Sequence, residues 1–498
     1  MPHISDEELV QLIPAEELSF RSPLPTQIVS SAEYFPEKQT AKQKQVEVRL
    51  KELGNQMSSK LGMSRRKFFQ SAAGMAAGYL VMNEVYGGLF DVSAAEAATP
   101  ELADERRAAF AHQYVFDGHT HFLRDDTRLT NLLNMRKAVG KAGWNNALAD
   151  GDQSIESLKF ANYFKEIYLD SDTAIGTISN SPSEIEADWF ITNDMAFKAR
   201  DKVNAFAGSE RMMAHYTFDP HEPGWLEGIE HAPAFKPSGW KGYTIGDNTN
   251  KNLAKPWRLD DEKLMYPAYE RMLKAGVNAI CIHKGLFPPS LEAQYPNLAR
   301  YADVSDVAQA AKDWPQMNFL IFHSGYRHVG GQGASPEVAM AEWEKTGRSS
   351  WVSDLAEIPE KHGVNNVYGD LGQIFAYTAV AQPRLAAALM GTLIRGLGAD
   401  KILWGTDAVW TGSPQWQIEG FRRLEIPEDM QKKHGFKPLG AADGAVKRAI
   451  LAENGFRVFN YDPAKQLDRG DKLAQIKTDY VRNGPSPSNL RYGYARRG

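Results

Sequence analysis

Short apolar runs alternate with longer amphipathic stretches from about Thr99 to about Asp462. The short runs have the length and composition of β-strands, and the stretches between them place apolar residues at helical spacing. The predicted strands are Tyr114–Gly118, Thr173–Ser179, Arg211–Phe218, Trp240–Ile245, Val277–His283, Asn318–His323, Asn366–Leu371 and Lys401–Thr406. The predicted helices include Asp261–Ala275, Asp303–Lys312, Gln382–Leu397 and one near Ala445–Phe456. Strands that alternate with helices in this number predict an α/β fold, the (β/α)8 TIM barrel.

The first predicted strand runs into two histidines that are one residue apart. The stretch reads Y-V-F-D-G-H-T-H-F, with His119 and His121 after the apolar positions. Side chains two residues apart in a strand point to the same face, and their Cα atoms lie roughly 6.5 Å apart. Two imidazoles at that spacing can bind one metal ion.

Three later strands also end on a side chain that can bind metal. The fifth ends A-I-C-I-H-K-G with His283, the sixth ends F-L-I-F-H-S-G with His323, and the eighth ends I-L-W-G-T-D-A with Asp407. Barrel active sites form at the carboxyl ends of the strands, whereas a barrel interior built for packing uses Val, Ile and Leu. The sequence therefore predicts that these side chains converge with the histidine pair at the mouth of the barrel.

The ordered set D-G-H-T-H, I-H-K-G, F-H-S-G-Y and W-G-T-D resembles the metal-site motifs of the amidohydrolase superfamily. The most similar branch contains aminocarboxymuconate-semialdehyde decarboxylase and related amidohydrolase-2 enzymes. Ile450–Phe459 is similar to the helix that follows the barrel in that branch, with Gly455 in place of its usual alanine. The resemblance covers about Phe110 to Asp462.

This resemblance implies that one divalent metal ion is bound by His119, His121, His283 and Asp407, and that His323 stands beside it as an acid/base or polarising residue. Three imidazoles and a carboxylate suit zinc, with manganese and iron as alternatives. Asp117 is either a support for the site or a local turn cap.

The fourth predicted strand departs from the pattern of the dinuclear branches, which carry a metal-bridging lysine. Thr244 stands where many relatives have that lysine, and Lys241 lies further back along the strand. The departure favours a single metal ion.

The implied site supports two reactions. A bound ion lowers the pKa of water from about 15.7 towards 7. Asp407 would then act as the general base in the hydrolysis of a small amide, lactone or ester. Carboxylated and aromatic compounds are among the candidate substrates. His323 would stabilise an oxyanion. We expect hydrolysis slightly ahead of the alternative, non-oxidative decarboxylation of an aromatic or muconate-type acid. A non-catalytic periplasmic protein that binds metal or ligand is a second alternative.

Arg124 and Arg327 are candidates to hold a substrate carboxylate, because arginine binds carboxylates through two parallel hydrogen bonds. Surface salt bridges are the competing interpretation of both residues. Trp410 is a candidate for the wall of an aromatic pocket, and Trp404 for barrel packing.

Composition limits the remaining possibilities. The net charge of −5 and the absence of a long basic block argue against nucleic-acid binding. Cys281 is the single cysteine, which excludes an internal disulfide and a cysteine-based zinc cluster. The sequence has no uninterrupted apolar run of about 20 residues, so it predicts no integral membrane span.

The segment before the barrel resembles a twin-arginine export signal. S-R-R-K-F-F-Q begins at Ser64 and is followed by a small-residue apolar stretch and by A-A-E-A-A at Ala94–Ala98. Asn83 and Glu84 interrupt the apolar stretch, and 63 residues precede the motif. An amphipathic helix beginning at Ser64 is the competing interpretation.

We therefore expect a protein exported to the periplasm by the twin-arginine machinery, and a homodimer by analogy with relatives. The predicted parts are a polar extension (1–63), the signal-like segment (64–98), the barrel (99–465) and a C-terminal arm (466–498).

Overall fold

The computed structural model describes residues 22–27, 31, 34, 37–129, 131–142, 155–330 and 334–483. Eight parallel strands lie side by side in chain order and helices surround them, which confirms the predicted (β/α)8 architecture. The strands are β1 (Phe116–Thr120), β2 (Ile175–Ile178), β3 (Met212–Thr217), β4 (Gly239–Tyr243), β5 (Ala279–His283), β6 (Asn318–Phe322), β7 (Val367–Asp370) and β8 (Ile402–Leu403).

The seam between β1 and β8 closes the barrel through backbone hydrogen bonds beyond the short last strand. The amide of Gly118 donates to the carbonyl of Trp404 at 3.0 Å, and the amide of Asp407 donates to the carbonyl of His119 at 2.9 Å. Thr120 and Ala408 form a further parallel bridge. The histidine pair and Asp407 therefore sit on opposite sides of one seam.

Helices precede, surround and follow the strands. Those before β1 are α1 (Ala41–Lys60), α2 (Arg65–Phe69), α3 (Ala72–Tyr86), α4 (Ala94–Ala98) and α5 (Pro100–Ala109). Those between β1 and β6 are α6 (Asn131–Lys141), α7 (Phe160–Phe164), α8 (Asn193–Ala207), α9 (Trp225–His231), α10 (Tyr266–Lys274), α11 (Pro289–Gln294), α12 (Ala299–Ala302) and α13 (Val307–Asp313). Those between β6 and β8 are α14 (Pro336–Thr346), α15 (Val352–His362), α16 (Ile374–Ala381) and α17 (Pro383–Leu397). Those after β8 are α18 (Gln415–Arg423), α19 (Glu428–His434), α20 (Ala445–Arg448), α21 (Asn454–Val458), α22 (Pro463–Gln466) and α23 (Lys472–Asn483).

The lower part of the barrel interior is an apolar core. Phe116, Cys281 and Leu320 belong to this core, together with Phe456 and Phe459 from the segment after the barrel. The ring of Phe459 stacks on that of Phe116 with centroids 5.8 Å apart. Polar side chains are thereby left to the carboxyl ends of the strands, which is where the predicted site lies.

The signal-like segment is folded into the protein as α2, α3 and α4. Ala76, Ala77 and Val81 of α3 are fully buried. The hydroxyl of Tyr79 donates to the carbonyl of Trp416 at the start of α18. The helix contains many small residues, so it can lie close to its neighbours. This small-residue apolar stretch was one of the features that suggested a signal.

Residues around the end of α18 anchor the same segment a second time. The amide of Glu425 donates to the carbonyl of Leu89 at 2.8 Å, and Phe90 pairs with Leu424 as an antiparallel bridge. The carboxylate of Glu96 accepts two hydrogen bonds from the buried guanidinium of Arg423. In the motif itself, Arg65 is buried and Arg66 is exposed.

The two ends of the described chain also pack on the barrel. Val46 and Leu50 of α1 are buried. The predicted C-terminal arm includes α23, which lies against the barrel because the guanidinium of Arg211 is bonded to Asp471 at 2.7 Å. Residues 484–498 of that arm lie outside the described residues. None of the described helices has the length and apolarity needed to span a membrane.

We predict that Glu96→Ala lowers the free energy of unfolding by about 2–3 kcal/mol, because it removes a charged partner from a buried guanidinium. Equilibrium unfolding in urea would measure the change. Glu52→Ala is the matched control, since the Glu52–Arg49 pair is exposed on both sides and its loss should leave the unfolding midpoint unchanged. Equal midpoints for both variants would contradict the prediction.

Candidate metal centre

The structure brings the five predicted metal and acid/base residues together at the barrel mouth. His119 lies in β1, His283 ends β5 and His323 follows β6 directly. His121 and Asp407 lie just beyond β1 and β8. Each of these side chains belongs to a residue that is at most 2% exposed to solvent.

His119, His121 and Asp407 form a compact group of possible metal ligands. Oδ1 of Asp407 lies 3.1 Å from Nε2 of His121 and 3.6 Å from Nε2 of His119. One ligand atom from each of the three lies within 4.8 Å of the others. This is the spacing that donors around a single ion require.

His283 and His323 form a pair beside that group. Nδ1 of His283 lies 3.1 Å from Nε2 of His323, and Nδ1 of His323 lies 2.8 Å from the carbonyl oxygen of Gly372. The ring of His323 is 4.9 Å from the ring of His119, so the pair adjoins the first group.

These contacts fix the positions of the imidazole protons. The carbonyl of Gly372 only accepts, so Nδ1 of His323 carries the proton and Nε2 is bare in the neutral ring. That bare nitrogen accepts from Nδ1 of His283, which leaves the lone pair of His283 on Nε2. A neutral imidazole with its lone pair on Nε2 is a competent metal ligand.

Asp370 at the end of β7 is a site residue that the sequence analysis missed. Its Oδ1 accepts from Nδ1 of His119 at 2.9 Å, from the amide of His323 at 3.1 Å and from the amide of Gly372 at 3.0 Å. A carboxylate on Nδ1 directs the lone pair of His119 to Nε2 and increases its basicity. The signal was present, because Asp370 ends an apolar run as the other site residues do.

Two glycines leave the space that Asp370 occupies. A Cβ atom on Gly405 would lie 2.1 Å from Oδ2 of Asp370, and one on Gly372 would lie 2.4 Å from Nδ1 of His119. Both distances are too short for any real contact, so the hydrogen bond between Asp370 and His119 requires glycine at both positions.

Two site residues have backbone angles that residues other than glycine seldom adopt. The φ angles of His323 and Asp407 are +58° and +61°. Each such residue costs on the order of 1–3 kcal/mol, and surrounding contacts must hold it in place. Here the amide of His323 is bonded to Asp370, and the amide of Asp407 to the carbonyl of His119.

Asp117 performs the local role that was one of its two predicted alternatives. Its carboxylate accepts from the amide of His119 at 3.2 Å and from the amide of Thr406 at 3.1 Å. The hydroxyl of Thr406 donates to it at 2.5 Å. Asp117 therefore links the strand that carries the histidine pair to the turn that carries Asp407.

Lys241 places a buried ammonium inside the barrel below the imidazoles. Its Nζ lies 3.7 Å from the ring centroid of Phe322 and 4.7 Å from that of Tyr243. The ring of Phe322 lies 3.8 Å from His119, and the ring of Tyr243 stacks on His283 at 4.6 Å. Thr244, which replaces the lysine of the dinuclear branches, is buried and donates to the carbonyl of Tyr301 at 2.6 Å.

Burial and Lys241 act together to keep the imidazoles neutral. Burial lowers the pKa of His119, His121 and His283 well below the usual value, and the charge of Lys241 lowers each further. Burial also lowers the pKa of His323 to about 3. Neutral imidazoles are the form that binds metal.

Burial raises the pKa of the two carboxyl groups at the site. The pKa of Asp370 rises to about 7, although its backbone hydrogen bonds oppose the change. The pKa of Asp407 rises well above its usual range, with Lys241 opposing.

The residues present fit a divalent metal ion. Nε2 of His119 and Oδ2 of Asp407 are buried polar atoms with no hydrogen-bond partner in the described part of the chain. Such atoms are costly in a folded protein unless something binds them. The compact group offers two imidazole nitrogens and a carboxylate, and His283 is the third imidazole of the predicted set. Donors of these two kinds suit a first-row ion.

The two predicted substrate arginines are engaged in ion pairs outside this group. Arg124 is bonded to the exposed carboxylate of Asp126, and Arg327 is bonded to Glu292 and lies over the ring of Trp351. These contacts are those of the competing salt-bridge interpretation. Their role in substrate binding stays a prediction.

Two aromatic rings lie beside the imidazole of His121. Trp410 and Phe190 each have a ring centroid 5.9 Å from the imidazole and lie 5.1 Å from each other. Trp404 packs instead against Phe375 and Phe421, as the packing interpretation predicted.

Comparison with known proteins identifies relatives of the barrel. A family model described as Amidohydrolase matches residues 116–461. No curated protein sequence matches the chain. Three solved structures are similar over 70–71% of this chain and 99% of their own, and all three are decarboxylases.

The first is 5-carboxyvanillate decarboxylase from Sphingomonas paucimobilis, with 12% identity and a TM-score of 0.39. The second is 2,6-dihydroxybenzoate decarboxylase from Rhizobium, with 15% identity and a TM-score of 0.39. The third is a dihydroxybenzoic acid decarboxylase from a Polaromonas species with bound manganese, with 15% identity and a TM-score of 0.38.

We predict that Gly405→Ala weakens metal binding about 10- to 100-fold, because the added methyl displaces Asp370 from His119 and the lone pair of His119 loses its orientation. Competition with a chelator would measure the dissociation constant. Gly118→Ala is the control, since its Cβ would meet nothing nearer than 3.4 Å. Unchanged affinity in Gly405→Ala would show that the hydrogen bond is dispensable.

Proposed function

The chain belongs to the amidohydrolase family, and we propose that it is a decarboxylase that removes carbon dioxide from a carboxylated aromatic compound. Family membership and the histidine–aspartate group make it a metal-dependent enzyme. The interpretation as a non-catalytic binding protein is therefore set aside.

The observation that carries the proposal is the dry, aromatic environment of the site. The possible ligands are almost fully buried, and rings of Phe190, Tyr243, Phe322 and Trp410 contact the imidazoles. Flat apolar walls suit an aromatic substrate. Decarboxylation consumes no water, and removal of water from a carboxylate favours its conversion to neutral carbon dioxide. Hydrolysis needs water as a reactant in the same space.

The charge of the site supports an anionic substrate. Lys241 is buried below the imidazoles, which are themselves neutral. A cation in a water-excluded site attracts an anion more strongly than it would in water. A substrate carboxylate supplies the charge that such a site favours.

A divalent ion bound by His119, His121, His283 and Asp407 would act as a Lewis acid that withdraws electron density from a substrate oxygen. Asp407 in its protonated form would then donate its proton to the ring carbon that bears the carboxylate. A new C–H bond forms, the bond to the carboxyl carbon breaks, and its electron pair returns to the ring as carbon dioxide leaves.

His323 is suited to hold the proposed ligand His283 in place during this step. Its Nδ1 is fixed by the carbonyl of Gly372, so the ring has one orientation. Its Nε2 accepts a hydrogen bond from Nδ1 of His283, which places the proton of that predicted ligand on Nδ1. We assign it the role of orienting His283, because both of its ring nitrogens are engaged in these two hydrogen bonds. It would polarise a substrate oxygen only as a protonated ring whose Nε2 has been released by His283.

Hydrolysis is the second candidate. Oδ2 of Asp407 has no hydrogen-bond partner among the described residues and can accept a proton from water. This observation supports the hydrolysis that the sequence slightly favoured, on an amide, lactone or ester.

Zinc stays the proposed ion, because imidazole and carboxylate ligands in a group of four suit it, and manganese and iron remain alternatives.

Export to the periplasm by the twin-arginine machinery, suggested by residues 64–98, also stays a proposal, and so does a homodimer. Cell fractionation and the mass of the purified protein in solution would test these two.

We predict about one equivalent of divalent metal in the protein as isolated, and none in the His119→Ala/His121→Ala variant, because two of the four ligands are lost. Elemental analysis by mass spectrometry would measure the content and identify the ion. His221→Ala is the control, because His221 is not among the grouped ligands. A metal-free protein that takes up no ion on reconstitution would contradict the metal centre.

We predict that turnover of a hydroxylated aromatic acid in deuterium oxide gives a product with one deuterium at the carbon that lost its carboxylate, because Asp407 exchanges its proton with solvent. Nuclear magnetic resonance of the product would locate the deuterium.

Asp407→Asn should abolish turnover, and His323→Gln should keep the metal while turnover falls at least 100-fold.

The same measurement distinguishes the two candidate reactions. Hydrolysis of an aromatic ester or lactone leaves the ring hydrogens unlabelled and releases no carbon dioxide. Carbon dioxide release that persists in Asp407→Asn would reject Asp407 as the proton donor.

A further inference from the structure

Lys241 is a fully buried charge for which the proposed reaction gives no complete account. An ammonium without solvent is costly, and proteins keep such groups where surrounding contacts compensate for the burial. Its Nζ contacts two aromatic rings, at 3.7 Å from the centroid of Phe322 and 4.7 Å from that of Tyr243. A desolvated ammonium over the face of an aromatic ring is attracted by the negative charge of that face.

Each of these rings also contacts a predicted metal ligand. The ring of Phe322 lies 3.8 Å from the imidazole of His119. The ring of Tyr243 stacks on the imidazole of His283 at 4.6 Å with an angle of 14° between the planes. The ammonium is therefore connected by one ring to each of two imidazoles on different strands.

The sheet register produces this arrangement. Lys241 and Tyr243 are two residues apart in β4 and share the face that points into the barrel. Tyr243 is in register with His283, and His283 is in register with Phe322. Three adjacent strands thus place a ring, an imidazole and a ring side by side at one level, with the ammonium below them.

We propose that Lys241 is a positioning residue of the metal centre. It holds Phe322 and Tyr243, and through them it holds the rings of His119 and His283 in the orientation that directs Nε2 to the ion. This role rests on the proposed metal centre and adds a residue that neither the ligand set nor the reaction requires.

The proposal makes a prediction whose sign is opposite to that of simple electrostatics. A nearby ammonium repels a divalent cation, so its removal alone would tighten metal binding. If Lys241 positions the ligands, Lys241→Met should instead weaken binding, about 10- to 100-fold, as loss of a support behind a ligand does. The methionine keeps most of the volume of the apolar stem.

The experiment measures the dissociation constants of Zn²⁺ and Mn²⁺ by chelator competition in the wild type and in Lys241→Met. The visible absorption spectrum of the Co²⁺-loaded proteins gives an independent readout of ligand geometry, and it should change in the variant. Lys401→Met is the matched control. Lys401 also lies over a ring, 4.5 Å from the centroid of Tyr368, but Tyr368 belongs to the apolar interior and not to the ligand group.

A double-mutant cycle tests whether the rings transmit the effect. Lys241→Met should weaken binding less in a Phe322→Leu background than in the wild type, because that connection has already been removed. Equal effects in both backgrounds, together with an unchanged Co²⁺ spectrum, would overturn the proposal. Tighter binding in Lys241→Met would overturn it as well.

The outcomes separate this inference from the proposed function. A wild-type protein that binds no metal would reject the metal centre and this role together. A wild type that binds metal, with Lys241→Met equal to it, would reject only the role of Lys241. Urea unfolding of the metal-free proteins shows whether the variant is folded.

Discussion

Burial of many polar groups at one end of a barrel is the constraint on which the rest of this structure depends. The imidazoles of four histidines, the carboxyl groups of Asp117, Asp370 and Asp407 and the ammonium of Lys241 lie where solvent does not reach them. Each group must then be satisfied by a neighbour, because an unsatisfied buried polar group costs on the order of 1–3 kcal/mol. Asp370 and the carbonyl of Gly372 meet this requirement by fixing protons on Nδ1 atoms, which leaves Nε2 atoms for the ion. The glycines at 372 and 405 and the strained backbone at His323 and Asp407 follow from the same need for close approach.

The barrel and the ligand group were predictable because strand ends carry a local signal. A polar side chain that terminates an apolar run must point to the mouth of a parallel barrel, so His283, His323 and Asp407 were found from spacing alone. Asp370 obeys the same rule but lay inside a strand predicted one residue too long at its end, so the rule was not applied to it. Lys241 lies in the middle of a strand, and its contacts depend on the register between β4, β5 and β6. A local sequence pattern does not reveal which residues of two strands about 40 positions apart in the chain lie side by side.

The signal-like segment shows how one pattern can serve two structures. Small and apolar residues let a helix cross a hydrophobic environment, and they equally let α3 pack closely against α18. Asn83 and Glu84 interrupt the apolar stretch, and these polar residues already favoured a helix packed within the folded protein. In the fold Asn83 caps the turn that follows, with its side chain bonded to the amides of Leu89 and Phe90. Asn83, which was anomalous for a signal, therefore stabilises the end of the folded helix.

The docking of α3 and α4 also has a kinetic consequence. Tyr79 is bonded to a residue 337 positions later in the chain, and the partner of Glu96 lies 327 positions later. At a synthesis rate of about 5–20 residues per second, this distance corresponds to roughly 20–70 s. For that time after they emerge from the ribosome, α3 and α4 have no surface of α18 to bind. The order of the chain thus makes the first helices available to other partners during translation and unavailable once the barrel is complete.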